Sequence, residues 1–147
     1  MQDPSLRASG FFLKNSVLKT ENIFRRRGIR ITSGKILAEQ TFGFWLALFL
    51  PHHYRLLAGQ PIHIFPYKPT TENRASIYSK LNHIRAFRNR INHSEPICFS
   101  GQSVSCQTAL ETRLKLFGLI SWIDPGLTQF LSKLDNIPNK ANHILLI

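Results

Sequence analysis

The stretch from Asn82 to Ile97, reading NHIRAFRNRINHSEPI, constrains the chain most. Proline lacks an amide hydrogen and its ring pushes the residue before it out of helical geometry, so any helix entering this stretch must stop before Glu95-Pro96. Upstream, Ile77, Leu81, Ile84 and Ile91 recur at helical spacing. The spacing predicts a helix that starts at Thr70 or Thr71, either of which can cap it, with Arg74, Lys80, Arg85, Arg88 and Arg90 on its other faces. A basic amphipathic helix therefore delivers an arginine, an amide and a histidine to one end. Such an end can handle phosphate.

The charge balance points the same way. Nineteen Lys and Arg stand against eight Asp and Glu, a formal net charge of +11, and a polyanion such as nucleic acid is the natural partner for that excess. With 147 residues, 43% of them hydrophobic, the chain is expected to fold around one core. Two cysteines, Cys98 and Cys106, are too few for a disulfide framework, and no CxxC pair suggests zinc. Met1 to Gly10 has no apolar signal-peptide core, and the longest apolar run, Phe42 to Leu50, is far short of the roughly 20 residues a membrane helix needs. A cytoplasmic protein without a membrane span is expected.

Read in order, the chain divides into a basic helical segment over 1–35, a main domain over 36–135 and a tail over 136–147. The first segment carries Phe11, Phe12, Val17, Leu18, Ile23 and Phe24 at helical spacing and closes on Arg25-Arg26-Arg27-Gly28, where Gly28 suits a left-handed cap. Ser33 is expected to cap a buried helix that runs through Phe44, Trp45 and Leu48 to Pro51. His52 and His53 are adjacent but lack a third ligand at a useful spacing, so no metal is expected. Arg55 to Thr70, with Gly59, Pro61, Pro66 and Pro69, reads as loop, with Ile62, Ile64 and Phe65 tucked into the core. After a loop at Phe99–Ser103, a long helix is expected from Val104 to Ile123, apolar along Leu110, Leu114, Phe117 and Ile120. Asp124-Pro125 then starts a short helix through Leu134. No strand alternation persists and no repeat is present, so the fold class is all-α, a bundle of four or five helices.

The chemistry available at the central helix end is specific. The Arg88 guanidinium is a planar fork that can grip two phosphate oxygens, and His93, titrating near neutrality, can move a proton. Together they suit cleavage of RNA by its own 2′-hydroxyl, with His93 moving the proton, Arg88 offsetting charge on the phosphoryl group and Asn89 orienting either partner. Arg88 and His93 lie about 140° apart around a regular helix, so they converge only if the helix frays or ends near Asn92. Spacing alone is weak evidence, because an arginine and a histidine four to six residues apart should occur in such a composition about once by chance.

The string Arg88-Asn89-Arg90-Ile91-Asn92-His93 resembles the RNxxxH motif of the HEPN superfamily of helical nucleases. Further signatures resemble, in order, those of Abi-like (abortive infection) proteins. They are Thr41-Phe42-Gly43-Phe44-Trp45, then Phe65-Pro66, Ile84-Arg85, Glu95-Pro96-Ile97 and Ser121-Trp122-Ile123-Asp124-Pro125. The resemblance runs from Ile36 to Leu134. It implies a HEPN-like helical bundle and a metal-independent endoribonuclease, with Arg88 and His93 as the catalytic pair, Asn89 assisting and no cofactor. Arg85 and Arg90 would contact RNA, and a homodimer would set two copies of the motif across one cleft. Phage defence, or a toxin held by a cognate antitoxin, is the implied setting. The chain departs from the pattern at Ser94, where such proteins often carry His or Asn before Glu-Pro, and Met1–Lys35 has no counterpart in it. The alternatives are a non-catalytic helical nucleic-acid-binding module, an inactive member with an incomplete bundle, and an interaction protein that uses its apolar tail and the Trp45 face.

Overall fold

The structure, a computed structural model, describes residues 11–144. Expectations for the first ten residues and for 145–147 lie outside the described residues. The chain forms two compact units, Met1–Pro61 and Ile62–Ile147, a division that falls inside the span expected as one domain. Both are helical, so the all-α class holds, with eight α-helices in place of the four or five expected and one small hairpin among the described residues. No helix is long and apolar enough to cross a membrane among the described residues.

In the first unit, α1 (Phe12–Arg26) packs on α2 (Ser33–Ala38) and α3 (Phe42–Ala47), and α4 (Pro51–Leu56) follows. Gly28 takes φ 65° after α1, the left-handed cap expected of it. The single buried helix expected from Ser33 to Pro51 is instead two short ones, α2 and α3, with α4 beginning at Pro51. Thr32, not Ser33, caps α2, and Thr41 caps α3 by accepting from the Phe44 amide. Between them Gln40 is buried, and its amide group donates to Thr20 Oγ1 and to the Ile36 carbonyl while accepting from Ser16 at 2.6 Å. Those bonds to α1 and back to α2 hold the chain in a turn that helix propensity alone does not reveal. Pro51 sits at the first turn of α4 and begins that helix instead of ending one. The core of the unit is Phe24, Phe44, Leu46, Ala47 and Phe49.

The second unit is built on α5 (Arg74–Asn92) and α6 (Gln107–Ile123), with α7 (Pro125–Ser132) and α8 (Ile137–Ile144) packed on α6. Ile77 is fully buried, which removes from water a side chain worth roughly 1.5–3 kcal/mol. Phe65 is buried as expected and meets Trp122 edge-on at 6.3 Å, while the Tyr67 amide donates to the Trp122 carbonyl. Ile64, expected inside, is exposed, because Gln60–Ile64 is a short 3-10 turn that carries it outward. Ile91 and Leu114 are exposed as well, so the apolar faces assigned to α5 and α6 hold only in part. On α6 the buried pair is Thr112 and Leu119, seven residues apart on one stripe. Phe99–Ser103, expected as loop, belongs to a hairpin of β1 (Phe99–Ser100) and β2 (Ser103–Val104), antiparallel with Phe99 opposite Val104. Gly101, at φ 60°, makes its tight turn possible. Asp124 caps α7 through the Gly126 amide with Pro125 at the first turn, as the sequence indicates. Part of the expected tail is the helix α8, with Ala141 buried.

Candidate functional site

Asn73, not Thr70 or Thr71, opens α5. Its side chain accepts from the Ala75 and Ser76 amides at 2.9 and 3.1 Å, while Ser76 Oγ accepts from the Asn73 amide at 2.9 Å. This reciprocal capping box outcompetes a lone threonine cap upstream. Nineteen residues later the helix ends at Asn92, as Glu95-Pro96 requires. The closing device is a Schellman turn. The Glu95 amide donates to the Arg90 carbonyl at 2.9 Å and the Ser94 amide to the Ile91 carbonyl at 3.0 Å, with Ser94 at φ 55°. The same pattern closes α1 with Gly28 in the equivalent place, so here a serine takes a conformation that glycine adopts freely.

His93 is the cap residue, and its torsions, φ −94° and ψ 11°, keep it close to the helical path. Departure from the helix comes at Ser94. The backbone therefore does not swing His93 toward Arg88, as the expected fraying would have done. It stays about 140° around the axis from Arg88 and about 40° from Asn89, so Asn89 and His93 share one side. Arg85, Arg88, Asn89 and Asn92 fall within an arc of about 100° on the exposed side of α5. The side chains of Arg85, Arg88, Asn89 and His93 are all exposed and make no hydrogen bond or ion pair within the described residues.

Arg90 and Lys80, also expected as cations of this helix, have structural work. Arg90 Nε lies 3.4 Å from Glu95 Oε2, and its guanidinium also donates to the Pro96 carbonyl, so Arg90 braces the helix exit. Lys80 bonds both carboxylate oxygens of Glu72 at 2.7 and 2.9 Å and covers the Trp122 ring at 5.2 Å. Hydrogen bonding from Lys80, then from Ser76, lowers the Glu72 carboxyl below its usual range. Glu111 and Asp135 pair with Lys115 and Arg113 in the same unit. Four acidic side chains are thus engaged with other cations, and the field of Arg85 and Arg88 is left uncompensated.

His83 is a half-buried polar residue between α5 and α6 that sequence reasoning passed over. Its Nε2 lies 2.9 Å from Thr112 Oγ1, and the Thr112 hydroxyl donates to the Thr108 carbonyl at 2.7 Å. The hydroxyl proton is therefore committed, and His83 Nε2–H must be the donor. Burial first, and then Lys115, lower the His83 pKa, against a smaller opposing effect of Glu111. The one available signal was the helical facing of His83 and Thr112 across α5 and α6, which needs the packing to be seen.

In the first unit, His53 Nδ1 donates to the Ala47 carbonyl at 2.8 Å, and the His52 ring lies 4.0 Å from the His53 ring. No group of three potential metal ligands gathers among the described residues. A pocket of about 240 Å³ beside His53 is walled by Leu13, Val17, Phe44, Leu48 and Leu56, an apolar lining without convergent polar groups.

Compared with family models, curated proteins and solved structures, the chain has no match.

Proposed function

We propose that this protein is a metal-independent endoribonuclease of the HEPN type, working as an abortive-infection or toxin–antitoxin toxin. The observation that carries the reading is the end of α5, where Arg88, Asn89 and His93 are exposed and unengaged while neighbouring Arg90 and Lys80 are held by Glu95 and Glu72. In this reading Arg88 holds the scissile phosphate and His93 takes the 2′-hydroxyl proton or returns one to the leaving oxygen. Asn89, on the His93 side, orients the imidazole or the phosphate, and Arg85 lengthens the cationic track along the strand. Because Arg88 and His93 diverge around one helix, a homodimer supplies the simplest cleft, with Arg88 from one copy facing His93 of the other. Leu127, Phe130 and Leu134 give the second unit an exposed apolar row suited to a dimer contact, with Phe130 60% and Leu134 68% accessible. RNA is the substrate, no cofactor is required, and a cognate antitoxin and a cytoplasmic setting go with the toxin role.

The same geometry favours a second reading in one respect. Arg85 and Arg88 share a face, and His93 lies about 140° around the helix from Arg88, as suits a binding surface without turnover. Expression in cells separates the two. The nuclease reading expects growth arrest and RNA fragmentation from the wild type and neither from His93→Ala, whereas equal arrest by both would leave only the binding reading.

A further inference from the structure

The hairpin after α5 brings the two cysteines of the chain together. Its ladder continues one step beyond the Phe99–Val104 pair, where the Ser105 amide donates to the Cys98 carbonyl at 2.8 Å. Cys98 thus stands across from Ser105, and Cys106, the next residue, is the N-cap of α6. Opposed residues in such a ladder have Cα atoms about 4.5–5.5 Å apart and one further residue adds a rise of about 3.4 Å, which puts the Cα atoms of Cys98 and Cys106 roughly 6 Å apart, inside the roughly 4.4–6.8 Å that a disulfide spans. Both thiols are free. They differ in access, since Cys106 is 3% exposed and Cys98 is half-buried. Cys98, the more accessible thiol, is therefore the partner suited to react first, and burial pushes the Cys106 thiol up.

We propose that Cys98 and Cys106 form a peroxide-oxidised dithiol that closes into an intramolecular disulfide, tying the exit of α5 to the entry of α6. The Cys98 sulfur attacks one oxygen of hydrogen peroxide, the O–O bond breaks, and one water leaves with the thiol proton, giving a sulfenic acid at Cys98. The Cys106 sulfur then attacks the Cys98 sulfur. The S–S bond forms, the S–O bond breaks, and the Cys106 proton leaves with the hydroxyl as a second water. Each sulfur is oxidised by one electron and each peroxide oxygen reduced by one. The bridge would close a loop containing the hairpin and limit how far Ser94–Ile97 can move. It does not depend on the ribonuclease reading.

The full chain is treated with hydrogen peroxide, alkylated with iodoacetamide and weighed intact. The wild type is expected to lose about 2 Da and take up no label, and to take up two labels after dithiothreitol. Cys98→Ser is expected to lose no mass by bridging. Two labels on the peroxide-treated wild type, a disulfide joining two chains, or oxygen addition at Cys98 without bridging would each overturn the proposal.

Discussion

The Arg90 guanidinium turns back on Glu95, 3.4 Å from its carboxylate, while the Arg90 carbonyl accepts the Glu95 amide at 2.9 Å. One residue pair thus closes α5 with both backbone and side chains, and fixes where His93 sits. Two arginines two residues apart are thereby given different work. Arg90→Ala should lower stability by roughly 0.5–1.5 kcal/mol, since the Pro96 carbonyl and Glu95 both lose a partner. Arg88→Ala should change stability by less than about 0.5 kcal/mol, because its side chain is exposed and unengaged. Denaturant melts of the two variants check this.

Ser94 holds φ 55°, a left-handed conformation that costs an L-residue roughly 1–2 kcal/mol. Ser94→Gly should therefore raise stability by about 0.5–1 kcal/mol, the relief being partly offset by the greater freedom of glycine in the unfolded chain. Ser94→Val should lower it, since a β-branched residue tolerates that conformation poorly. Thermal melts of the three proteins give the order.

The bond from His83 to Thr112 joins α5 to α6, and Thr112 is buried. Thr112→Val should cost about 0.5–1.5 kcal/mol by removing the partner of the half-buried His83 donor. Chemical denaturation of Thr112→Val beside Thr112→Ser, which keeps the hydroxyl, separates this bond from simple packing loss.

The lowered pKa of His83 also sets a pH dependence. Above the unfolded value of roughly 6.5 both states are neutral and no stability is lost. As pH falls through that value the unfolded chain takes up a proton that the folded chain resists, so stability declines until the lower folded pKa is passed. Glu72, also lowered, adds a second decline at more acidic pH, where the unfolded carboxyl protonates first. His52, lowered by burial and then by His53 and Arg55, adds to the first decline. Denaturation free energy followed from neutral to acid pH should fall in two stages, and the first should shrink, leaving the His52 part, in His83→Leu.

Much of this was legible in the chain itself. Pro96 announced the end of α5, Gly28 the cap of α1 and Asp124-Pro125 the start of α7, because each is a local backbone constraint carried by one residue. The break between α2 and α3 was not legible, since it rests on Gln40 finding Thr20 and Ser16 on another helix. Leu114 and Ile91 looked apolar-faced by spacing, yet no neighbouring helix covers them. At the site, the exposure of Arg88 and His93 followed from their position near a helix end. That Arg90 is a brace, and that His93 keeps to the helical path, required the Glu95 contact and the torsions of the cap.

The proposed ribonuclease activity stands or falls on turnover at His93. Purified wild type and His93→Ala are incubated with cellular RNA in EDTA, and the products are resolved and their ends identified. The account predicts fragments ending in 2′,3′-cyclic phosphate from the wild type alone, with His93→Ala folded and inactive. No fragments from the folded wild type, or the same fragments from both proteins, would contradict it.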